Sequence, residues 1–134
     1  MKEFRNPQDV HEPVGSYSHQ IEIRGNERLL VISGQVGMRE DGTVPDDPLE
    51  QIDVAFDNIL RNLRAAGMDI NDLIKVNYYL VGDIDTARRR EVILSKLQGH
   101  KPCSTLVYVA GLASPVYKVE IEAWASRAEQ SQAL

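Results

Sequence analysis

The chain has 134 residues, a formal charge of −5 and 43 % apolar content, with a pI near 5.2; that suffices for one core and leaves no material for a second. The acidic balance argues against generic nucleic-acid binding, which needs a surplus of Lys and Arg to displace counterions from phosphates. The single cysteine, Cys103, excludes an internal disulfide, and with no apolar leader in Met1 to Pro7 and no run of membrane-span length the expectation is a soluble cytoplasmic protein.

Residues 1–14 are polar, contain Pro7 and Pro13, and read as an extended arm. From Ser18 to Arg24, Ile21 and Ile23 alternate with polar residues, which predicts a strand with one wet face. Gly25-Asn26 supplies a tight turn, and Leu29-Leu30-Val31-Ile32 reads as a strand buried on both sides, the two forming a hairpin that ends at Ser33-Gly34-Gln35. Asp47-Pro48-Leu49-Glu50 is a strong helix start: an N-cap, a proline at the first helical position and a glutamate to close a capping box. Leu49, Ile52, Phe56, Ile59, Leu60 and Leu63 then share one face, and Gly67 ends the helix.

Leu73 to Val81 is β-branched and aromatic, with Ile74, Val76, Tyr78 and Leu80 on one face. A second helix runs from about Asp83 to Leu97, with Ile84, Ala87, Leu94 and Leu97 as its stripe. Two strands follow, near Thr105 to Ala110 and Tyr117 to Ala125, and residues 127–134 form a polar tail. The order predicts a single α+β domain over 1–134, a mixed sheet with two helices on one face.

Gly15-Ser16-Tyr17-Ser18-His19-Gln20, Ile32-Ser33-Gly34-Gln35, Ala65-Ala66-Gly67, Ile74-Lys75-Val76 and Val119-Glu120-Ile121-Glu122-Ala123 resemble, in order and spacing, the RidA/YjgF family over about residues 15 to 126. The resemblance implies a chorismate-mutase-like fold, a homotrimer with ligand clefts between subunits, and hydrolysis of enamines and imines such as 2-aminoacrylate without metal or organic cofactor. The family's cleft tyrosine, serine and glutamate match Tyr17, Ser33 and Glu120, with Gly34 beside them. Its carboxylate-clamping arginine does not carry over: the segment reads Lys101-Pro102-Cys103-Ser104-Thr105, with Ser104 in the arginine's place. A serine cannot reproduce a planar charged fork, and hydrogen bonds to charged groups contribute roughly 1.5–3 kcal/mol each. The loss argues against a 2-aminoacrylate-type activity and leaves the fold untouched.

Each site residue has a plainer reading. Tyr17 also suits an amphipathic ring at a strand start, and Ser33 a strand end closed by a local hydrogen bond. Glu120 and Glu122 share a face with Lys118 and Trp124, opposite Val119, Ile121 and Ala123, so a polar subunit-facing side is the alternative to a catalytic acid. Cys103, near His100 and Lys101, is a reactive thiolate if a cation lowers its pKa, with His19 as its base, or a small buried hydrophobe. Arg88-Arg89-Arg90 point in different directions on a helix and read as a solvated face. No cluster has metal-ligand spacing. The expectation is a cofactor-free hydrolase of a small imine, enamine or carbonyl metabolite, using Tyr17, Ser33 and Glu120, with Ser104 and Cys103 reshaping the vacated anchor site. Lys101 or Arg39 replaces the anchor, or the substrate lacks a carboxylate and the cleft lacks a cation. The alternative is a trimer that binds a metabolite or a protein without turnover.

Overall fold

A computed structural model describes residues 1–129. The elements are β1 (Lys2–Arg5), β2 (Gln20–Ile23), β3 (Glu27–Val36), α1 (Pro48–Ala65), a 3-10 turn at Ile70–Asp72, β4 (Leu73–Leu80), α2 (Thr86–Leu97), β5 (Cys103–Tyr108) and β6 (Val119–Ala128). The main sheet runs β3-β6-β4-β5. β6 pairs antiparallel with both neighbours, whereas β4 and β5 are parallel and joined through α2. This is the expected α+β arrangement of one mixed sheet and two helices. β6 reaches Ala128, so the strand takes in the start of the expected polar tail; positions 130–134 lie outside the described residues.

The α1 start follows its sequence. Asp47 accepts from Leu49 N at 3.0 Å and Pro48 holds the first helical position. Glu50 does not close the capping box; its carboxylate takes Arg39 Nη2 at 3.2 Å instead. Ile52, Phe56, Ile59 and Leu63 are fully enclosed against Val76 and Leu80 of β4 and Val119, Ile121 and Ala123 of β6. Burying side chains of this size contributes about 1.5–3 kcal/mol each, which makes this layer the main support of the sheet.

Three further expectations are corrected. β2 does not form a hairpin with β3. Gly25 does turn the chain, at φ +78°, but β1 takes β2's ladder, with Lys2 opposite Ile23 and Arg5 opposite Gln20. The start of the arm is therefore a strand; Arg5 pairs with Glu22 and Arg24 with Glu3 across the two segments, and each arginine also pairs with the glutamate two residues before it. β3 is not buried on both sides: Ile32 is enclosed under α1, while Leu29 and Val31 are 64 % and 61 % exposed on the sheet's open face. The α2 stripe is also rotated. Leu97 is buried and Val92 and Ile93 pack on the core, but Leu94 is 48 % exposed. On the same helix Lys96 pairs with Asp53 and Asp57 of α1, both at 2.7 Å.

Candidate functional site

Successive residues of a strand face opposite sides of the sheet, and this divides the candidate residues into two groups. On the open face, Tyr79 lies opposite Glu120 and Asn77 opposite Glu122. The β3–β6 register breaks between Ile32 and Gln35, so Ser33-Gly34 form a bulge beside Glu120. A side chain at Gly34 has no room: a Cβ there would lie 2.8 Å from Glu120 Cδ. Gly34, Tyr79, Val109, Leu112, Glu120 and Glu122 line a depression of about 320 Å³.

The two carboxylates of that depression differ in their bonding. Glu122 accepts from the Tyr79 hydroxyl at 2.6 Å and from Asn77 Nδ2 at 3.0 Å. The bond to Glu122 holds the Tyr79 phenol above its ordinary pKa, since ionisation would break it and set two negative charges together. Glu120 is half-buried, and no side chain among the described residues donates to it. Glu122 is thus pinned through Oε1, while the Glu120 carboxylate is left without a side-chain donor among the described residues. Ser33 is exposed beside Gly34.

The second group lies on the helix side of the sheet. Ser104 and Leu106 pair with Val76 and Tyr78 and so share their face. Ser18 fastens the segment before β2 to the start of β5: its amide donates to Pro102 O at 3.3 Å and its hydroxyl to Lys101 O at 2.7 Å. The Tyr17 hydroxyl accepts from Val14 N at 3.2 Å, and its ring meets His19 edge-on at 5.6 Å. Tyr17 and Ser104 thereby line one depression of about 490 Å³, walled by Tyr78, Arg89, Ile93 and Leu106.

Within one chain, then, Tyr17 joins Ser104, Gly34 joins Glu120, and the two depressions open on opposite faces of the sheet. Cys103 lines neither. Burial pushes its thiol up, outweighing the lowering by Lys75 and by a bond from the Ile21 amide; this is the opposite of an activated thiolate. His19 bonds His11 O at 2.7 Å. Arg39 lines a third, acidic depression with Glu50 and Asp53, away from Ser104, and Lys101 is exposed. Among the described residues no group of three or more His, Cys, Asp or Glu is placed to hold a metal ion, and no helix is long and apolar enough to cross a membrane.

Arg89 and Tyr79 also line these depressions, and neither stands out in the sequence as a cleft residue. Arg89 sits in a run read as solvated, yet Arg89, Ile93 and Leu97 are spaced i, i+4, i+8 and share one helix face. That spacing was the available signal. Tyr79 alternates against Tyr78 on β4, and only the pairing of β4 with β6 brings it to Glu122.

The family model described as Endoribonuclease L-PSP matches residues 8–127. A RutC family protein of Pyrococcus horikoshii is 35 % identical over 125 residues, 92 % of this chain and 96 % of the relative. The 2-iminobutanoate/2-iminopropanoate deaminase of Mus musculus is 32 % identical over 112 residues, 82 % of this chain and 80 % of the relative. A crystal structure of a Rid-family protein of unknown function from Yersinia pestis superposes with a TM-score of 0.80 at 27 % identity, covering 92 % of this chain and 97 % of that one.

Proposed function

The chain belongs to the Endoribonuclease L-PSP family, the RidA/YjgF proteins, and on that premise we propose that it is a cofactor-free hydrolase of small imines and enamines. The observation that carries the reading is the pair of carboxylates on β6, one held through Oε1 by Tyr79 and Asn77 and one without a side-chain donor among the described residues, with a glycine bulge making room for the second. Glu120 takes a proton from water as the water oxygen attacks the carbon of the protonated imine, giving a neutral carbinolamine. It then returns that proton to nitrogen, and as the C–N bond breaks it accepts the hydroxyl proton, so that ammonia leaves a carbonyl behind and the last proton passes from Glu120 to solvent. An enamine enters the same path after tautomerising to the imine. The imine is already electrophilic, so holding water and substrate in register supplies much of the acceleration.

Tyr17 and Ser33 act as cleft residues in this reading, and the site is completed between copies of the chain. Glu120 and Tyr17 open on opposite faces of one sheet, so they meet only where the open face of one copy receives the Tyr17 depression of the next. Leu29 and Val31, exposed on that face, are the apolar surface such a contact covers. A homotrimer closes the arrangement, and mass measurement in solution tests it. The family model's nuclease label is a weaker fit, because the net charge of −5 opposes an RNA backbone.

The second reading, a trimer that binds a metabolite or a protein without turnover, rests on Ser104 in place of an arginine. Imine hydrolysis by the wild type beside Glu120→Gln separates the two. The enzyme reading expects a rate at least tenfold above buffer that falls about a hundredfold in the variant, within the usual contribution of a general base. Identical rates for wild type, variant and buffer would leave the binding reading.

A further inference from the structure

We propose that Arg89 of α2 is the carboxylate anchor of this chain, gripping from the helix the group that Ser104 cannot grip from the strand. The inference rests on the hydrolase reading for the reaction, but on separate residues for the anchor.

Arg89 and Ser104 line the same depression, about 490 Å³ in volume. Two polar groups there lack a protein partner. Arg89 Nε is buried without a hydrogen bond, although unpaired polar groups in such positions are uncommon and costly. Tyr78 is only 4 % exposed and lines the same space; no described residue bonds its hydroxyl, and burial alone pushes its phenol up. Arg89 and Tyr78 line one cavity with part of their donor capacity unused by the protein, and a guanidinium beside a phenol suits an anion of two oxygens.

Arg89 is also held in place. Its Nη1 donates to the Tyr108 hydroxyl at 2.9 Å, and its guanidinium carbon lies 6.0 Å from the centre of that ring. One edge of the fork is thus fixed by β5 and the rest is left for a ligand, which limits the entropy lost on binding. No Asp or Glu lines the depression to compete for it. Ile93, Leu97 and Leu106 form an apolar wall, which suits a short aliphatic chain beside the carboxylate. The ligand class is a small 2-imino or 2-oxo acid with an unbranched or singly branched apolar side chain.

The test is binding, which does not require turnover. 2-Oxobutanoate and its uncharged amide are titrated by NMR into wild type, Arg89→Met, Arg89→Lys and, as a distant cation, Arg39→Met. The expected result is that Arg89→Met weakens the acid at least tenfold, leaves the amide within twofold, and is partly rescued by lysine, while Arg39→Met changes neither. Equal loss of acid and amide would mean a structural effect and overturn the proposal, as would an unchanged affinity in Arg89→Met or a wild type that binds neither acid nor amide. A wild type that binds the acid through Arg89 but hydrolyses no imine would overturn the hydrolase reading and leave this one standing. Hydrolysis that survives Arg89→Met with unchanged KM would do the reverse.

Discussion

The Glu120 side chain lies across the Cα of Gly34, so closely that a β-carbon on that glycine would sit 2.8 Å from its Cδ and closer still to one carboxylate oxygen. A bulge between Ile32 and Gln35 creates the crossing, and the glycine's missing side chain is the space the carboxylate fills. Gly34→Ala is therefore expected to displace Glu120 while the rest of β3 keeps its register. Imine hydrolysis should fall by about a hundredfold, since small misplacements of a catalytic group have effects of that order. Stability should fall by about 1–3 kcal/mol, the usual cost of overpacking. Steady-state kinetics with urea unfolding checks both; full activity in a folded Gly34→Ala would remove Glu120 from the mechanism.

Tyr79 donates to Glu122 at 2.6 Å and its phenol is held above its ordinary value. The sign follows from charge: ionised Tyr79 would lose the bond and face a carboxylate. In Glu122→Gln the phenol should titrate nearer the ordinary value of about 10. Ultraviolet titration, with Tyr79→Phe to assign the transition, reads this directly. A Tyr79 titration that does not move in Glu122→Gln would show that Glu122 is not the partner.

Cys103 is half-buried, and burial outweighs the lowering effect of Lys75 on its thiol. Alkylation by iodoacetamide should be slower than that of a small free thiol at pH 7.5 and should rise only at higher pH. Lys75→Met should slow it further, because the cation that lowers the thiol pKa is gone. Rapid modification at neutral pH would restore the cysteine as a candidate nucleophile.

Gln51 is enclosed in the core, with Nε2 donating to Pro45 O at 2.8 Å and Val116 O at 3.0 Å and Oε1 accepting from Lys118 N at 2.8 Å. It ties α1 to the segment that leads into β6 and Glu120. Gln51→Leu keeps the bulk and strands three backbone groups. Each costs about 1–3 kcal/mol if left dry, with relaxation recovering part, so a loss of about 3 kcal/mol is expected from chemical unfolding. A loss below 1 kcal/mol would mean that water reaches these groups.

Periodicity carried most of the fold. Val119, Ile121 and Ala123 alternate with Glu120 and Glu122 as one buried and one open face require, and Asp47-Pro48 starts α1 where its chemistry says. The failures have physical causes. Leu29 to Ile32 reads as doubly buried because four apolar residues in a row carry no sign of which face a single chain leaves open. The β1–β2 pairing is tertiary, and nothing local in Gly25-Asn26 announces that the arm will take the strand's edge. For the candidate site, the family resemblance names Tyr17, Ser33, Gly34, Ser104 and Glu120 but carries no sign of their division between two faces, because that depends on the order β3-β6-β4-β5. Gln51 was hidden for a different reason. A polar residue inside an apolar stripe looks like surface until its three partners are seen.

The most direct measurement is the rate of hydrolysis of freshly generated 2-iminobutanoate by the purified wild type, beside Ser104→Arg. The account predicts that the wild type consumes the imine at least tenfold faster than buffer and that the added arginine is not required. A wild type at the buffer rate, with hydrolysis gained in Ser104→Arg, would contradict it: the scaffold would support the chemistry, and this chain would not perform it.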